Sequence, residues 1–79
     1  MPITKETRVE NKYRQLVAER IKQARKEANL TQKELANLMF CDNSNISYIE
    51  RAKQSVDVET LIQFSKILNK QPIFFLSDI

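Results

Sequence analysis

Residues 31–51, TQKELANLMFCDNSNISYIER, constrain this chain more than any other stretch. Thr31 is followed three residues later by Glu34, the spacing of a capping box. The hydroxyl accepts from the Glu34 N–H, and the carboxylate reaches back to the Thr31 N–H. Leu35, Leu38 and Met39 follow at helical spacing, so the segment 32–39 is expected to be a short helix with one buried side. Asp42 is a second N-cap candidate. Behind it Ile46 and Ile49 set a second apolar stripe for a helix over 43–51. Two short helices about four residues apart cross steeply, as in a helix-turn-helix.

The second of these helices is polar on its outer side. Asn43, Ser44 and Asn45 open it, and Ser47 and Tyr48 stand between the isoleucines. With them the motifs become specific. Leu30-Thr31-Gln32-x-Glu34-Leu35-Ala36, then Ile46-Ser47-x-Ile49-Glu50-Arg51-x-Lys53, then Glu59-Thr60-Leu61, resemble the lambda-repressor-like (XRE-type) helix-turn-helix family. The resemblance runs without a gap over residues 21–76. It implies an all-α, compact five-helix DNA-binding domain whose helix-turn-helix lies at helices 2 and 3.

The resemblance also assigns residues. Asn43, Ser44, Ser47 and Tyr48 correspond to base-reading positions, with Asn45 beside them. Gln32 corresponds to a phosphate contact at a helix N-terminus, where anions are favoured. Lys33, Arg51 and Lys53 are the further phosphate-binding candidates. Arg25 and Glu50 match a structural ion pair. The chain departs from the pattern at two turns, where Phe40 and Ala52 replace glycine, and it contains no glycine at all. Either both residues take a left-handed backbone at a cost of roughly 1 kcal/mol each, or the turns are reshaped.

The remaining elements follow from periodicity. Val9, Tyr13, Leu16, Val17, Ile21, Ala24 and Ala28 form one face of a helix over 9–28, and Asn29 suits its end. Residues 1–8 carry no pattern and are expected to form a flexible arm, ahead of a single domain over 9–79. Asp57 caps a fourth helix with Val58, Leu61, Ile62, Ser65 and Leu68 inward and Phe64 beside them. Pro72 opens a fifth, in which the resemblance implies that Phe75 and Leu76 turn inward. Ile73, Phe74 and Ile79 leave this last helix apolar on more than one side, which predicts a homodimer interface.

Seventy-nine residues make one domain. The formal charge is +3, carried by the N-terminal third: residues 1–29 sum to +4 and residues 30–79 to −1. One cysteine and no histidine predict no disulfide and no metal site. Neither a leader nor a membrane span is expected, which places the protein in the cytoplasm. No cofactor and no catalytic constellation is expected. The expected partner is an operator in double-stranded DNA, with A·T pairs at the positions read most strongly, because asparagine pairs best with adenine and no arginine precedes Arg51 in the helix. A toxin or a polymerase is a possible protein partner. The alternative function is an antitoxin-type interaction module, in which DNA binding is secondary.

Overall fold

The computed structural model describes residues 5–77, with side chains from residue 12 onward. Five helices follow one another: α1 (Lys5–Glu27), α2 (Gln32–Leu38), α3 (Asn43–Glu50), α4 (Val58–Ile67) and α5 (Pro72–Leu76). No strand occurs among the described residues. α2 packs on α3, α1 lies against α3 and α5, and α4 meets α5. The core is formed by Ile21 and Ala24, Leu35 and Ala36, Ile46 and Ile49, Leu61, Phe64 and Leu68, and Phe75. Phe64 and Phe75 are its largest fully enclosed side chains.

Helix ends are set by local chemistry. At α2 the capping box forms as the Thr31/Glu34 spacing predicts, with Glu34 N–H to Thr31 Oγ1 at 3.0 Å and Thr31 N–H to Glu34 Oε1 at 2.8 Å. Asp57 caps α4 through the Thr60 N–H at 2.8 Å. Asp42 stands at the N-cap position of α3 with an extended backbone, but its carboxylate caps no N–H.

With no glycine available, four non-glycine residues take a left-handed backbone: Asn29, Phe40, Ala52 and Asn69, with φ of 59°, 56°, 59° and 56°. Each follows a helix and closes its end. The Cys41 N–H reaches the Ala36 carbonyl, Lys53 reaches Tyr48, Leu30 reaches Arg25 and Lys70 reaches Ser65. This is the Schellman arrangement, which satisfies carbonyls that the helix leaves unpaired. Asparagine tolerates the conformation; Phe40 and Ala52 hold it against their Cβ atoms. The turns therefore keep the family's geometry rather than being reshaped.

Three expectations are corrected. α1 is helical from Lys5 rather than Val9, so residues 5–8 of the expected arm belong to the helix; residues 1–4 lie outside the described part. On α4 the buried stripe is Leu61, Phe64, Ser65 and Leu68, while Val58 (72% exposed) and Ile62 face outward. Leu61, Phe64, Ser65 and Leu68 share one face of a 3.6-residue helix, and packing turns that face to the core and leaves Val58 and Ile62 to one side of it. On α5 only Phe75 is enclosed, and Leu76 is exposed.

Candidate nucleic-acid interface

The site is built on α3, which turns Ile46 and Ile49 into the core and so fixes what faces out. Asn43, Ser44 and Tyr48 are exposed and Ser47 is half-buried, one contiguous outer face. Asn45 is not on it. Its position on the flank lines a recess of about 190 Å³ with Cys41, Thr60 and Gln63. Burial, with the nearby Asp42 charge, pushes the Cys41 thiol above its ordinary range. A neutral thiol resting against the core behaves as a small hydrophobe.

Arg25 and Glu50 form the expected ion pair. Nε donates to Oε2 at 2.6 Å and the terminal Nη2 to Oε1 at 3.0 Å. The guanidinium also donates to the Leu30 carbonyl at 2.8 Å. Both side chains are largely removed from water, at 11% and 2% exposure. One arginine thus ties the end of α1 to the turn before α2 and to the last turn of α3. The Gln32 side chain joins the same carboxylate, donating from Nε2 to Oε1 at 3.1 Å. This link joins residues 18 positions apart, and no local spacing signals it.

Lys33, Arg51 and Lys53 are all exposed, Lys33 on α2 and the other two at and beyond the end of α3. The Arg51 side chain folds back along α3. Its Nε donates to the Ser47 carbonyl at 3.4 Å, and its guanidinium carbon lies 5.1 Å from the Tyr48 ring centroid. The site thus combines hydrogen-bonding side chains on one helix face with exposed cations on α2 and at the end of α3.

The expected dimer residues divide. Ile73 is 62% exposed. Phe74 is engaged within the chain: its ring meets Phe75 edge-on at 5.3 Å, and Arg20 at 5.3 Å and Lys70 at 4.8 Å both lie over it. Lys70 in turn pairs with Glu27 at 2.7 Å, and Arg20 donates to the Ser77 carbonyl at 2.9 Å. Phe74 therefore anchors α5 to α1, a role its position in an apolar run did not reveal. Ile79 lies outside the described residues.

Residues 21–75 match a family model described as helix-turn-helix. The HTH-type transcriptional regulator ImmR of Bacillus subtilis (strain 168) is 35% identical over 60 residues, 76% of this chain. This chain spans about half of that relative's length, 47%. The crystal structure of the restriction-modification controller protein C.AhdI from Aeromonas hydrophila superposes with a TM-score of 0.73, covering 78% of this chain and 94% of that one at 22% identity. No helix among the described residues is long and apolar enough to cross a membrane.

Proposed function

Because this chain belongs to the lambda-repressor-like helix-turn-helix family, we propose that it is a sequence-specific regulator of transcription that occupies an operator in double-stranded DNA. The observation that carries this is the outer face of α3. Asn43, Ser44, Ser47 and Tyr48 lie together on a helix whose inner residues Ile46 and Ile49 are locked in the core. A rigid helix with a polar face suits the major groove, where each base pair presents its own pattern of donors and acceptors. Lys33, Lys53 and the Gln32 end of α2 supply phosphate contacts on either side, which set register and carry no sequence information. The proposed role involves no catalytic step. A homodimer would place two such helices on half-sites roughly 10–10.5 base pairs apart, giving a palindromic operator. Exposed Ile73 supports an interface at α5.

Selection of bound sites from random duplex DNA tests the reading: enrichment of a two-fold-symmetric, A·T-containing motif is expected. The antitoxin-type reading draws on the exposed apolar groups Tyr13, Val58 and Leu76. A co-purifying partner chain together with weak, salt-insensitive DNA binding is the result that favours it.

A further inference from the structure

Arg51 occupies the C-cap position of α3. A cation there, with Lys53 two residues on, invites the reading of a phosphate contact. Its conformation points elsewhere. Instead of extending away from the helix end, the side chain folds back by one turn over Ser47 and Tyr48. Both of these belong to the outward face described above. The guanidinium therefore lies beside the base-reading side chains, with its carbon over an aromatic ring.

We propose that Arg51 and Tyr48 act as one specificity-determining unit that reads a guanine next to a thymine in each half-site. The inference rests on α3 being the recognition helix. Its chemistry is as follows. With Nε directed to the Ser47 carbonyl, the two terminal nitrogens of Arg51 remain available. Guanine presents O6 and N7 as a pair of acceptors in the major groove, and arginine is the side chain that matches them in a bidentate way. The contact with the Tyr48 ring and the Ser47 carbonyl limits the rotamers of the guanidinium, so less freedom is lost on docking. The ring edge is then placed for a neighbouring thymine methyl group. A contact with phosphate alone requires none of this restraint, and the exposed Lys53 can supply that sequence-independent attraction.

The test is site selection from random duplex DNA with the parent chain, R51A, Y48F and Y48L, with helicity checked by circular dichroism. Arg51 and Tyr48 are both exposed, so all variants are expected to fold. The parent should enrich one guanine beside a thymine per half-site. R51A should lose that guanine and bind the selected site about 10-fold or more weakly, the scale of one bidentate base contact. Y48F keeps the ring and should keep the guanine, whereas Y48L should relax the same position. If R51A keeps the parent's site preference and weakens binding to every duplex alike, with a salt slope smaller by about one, Arg51 is a phosphate contact and the proposal is overturned. A parent chain that enriches no sequence overturns the regulator reading as well, so the two failures are distinguishable.

Discussion

Replacing Glu50 by alanine probes the tie on which the interface depends. The carboxylate accepts three hydrogen bonds, two from Arg25 and one from Gln32, at 2.6, 3.0 and 3.1 Å. Only 2% of its side chain is exposed. In Glu50→Ala the guanidinium of Arg25 keeps the Leu30 carbonyl and loses its counter-charge, in a place that water barely reaches. Stranding one member of a buried pair costs about 3–5 kcal/mol. At roughly 0.05–0.15 kcal/mol per residue, a domain of this length has only about 4–12 kcal/mol in total. The substitution should therefore remove a large fraction of the stability. With a urea slope of about 1 kcal/mol/M for a small protein, the unfolding midpoint should fall by about 3 M or the chain should fail to fold. Glu50→Gln keeps an acceptor for Gln32 and should be milder, at about 1.5–3 kcal/mol, the worth of a hydrogen bond to a charged group. The double replacement Arg25→Met with Glu50→Leu leaves no charge stranded and should lie closer to the parent than Glu50→Ala does. A Glu50→Ala midpoint within error of the parent would refute the argument, because it would mean that Arg25 is solvated in the folded protein.

Four further outcomes are expected. Phe40→Gly and Ala52→Gly should each stabilise by up to about 1 kcal/mol in urea unfolding, since both residues sit at φ near 60°, and Phe40, 97% exposed, gives up no packing. The capping carboxylates are held below their ordinary values of 4.5 and 3.8, Glu34 by hydrogen bonding to the backbone and then the side chain of Thr31, and Asp57 by hydrogen bonding to the side chain and then the backbone of Thr60. A depressed folded-state pKa contributes stability above the unfolded value that is lost as pH falls through the folded one, so melting temperature should drop below about pH 4.5, and Asp57→Asn should flatten that limb. Ile73→Asp should shift sedimentation from dimer to monomer without loss of helicity, whereas Phe74→Asp should unseat α5; a parent already monomeric at micromolar concentration would remove the dimer from the proposed function. Asn43→Ala should relax preference at one base position, while Lys53→Ala should weaken binding to all sequences alike and reduce the salt slope by about 0.9.

Much of this molecule was legible in its sequence because helix ends are decided within a few residues. Thr31 with Glu34 and Asp57 before Val58 give unpaired N–H groups partners inside one turn, and Pro72 at the start of α5 removes one such N–H altogether. The inward Ile46 and Ile49 and the outward Asn43, Ser44 and Tyr48 follow from helical periodicity alone. Arg25 and Glu50 were found through the family resemblance, since nothing between positions so far apart signals a pair. Where the decision depended on neighbours distant in the chain, the pattern was insufficient. At Phe40 and Ala52 a side chain with a Cβ left two backbone solutions open, and the choice fell to the left-handed one, in which each Schellman turn closes on its helix. On α4 several apolar stripes were possible, and the position of the core against α5 selected the one centred on Phe64. Phe74 looked free to meet a second chain until packing brought Arg20 and Lys70 over its ring. Gln32 was captured by Glu50. Local hydrogen bonds and periodicity decide that an element exists and where it stops; which of its faces is covered, and by what, is decided only when the elements pack.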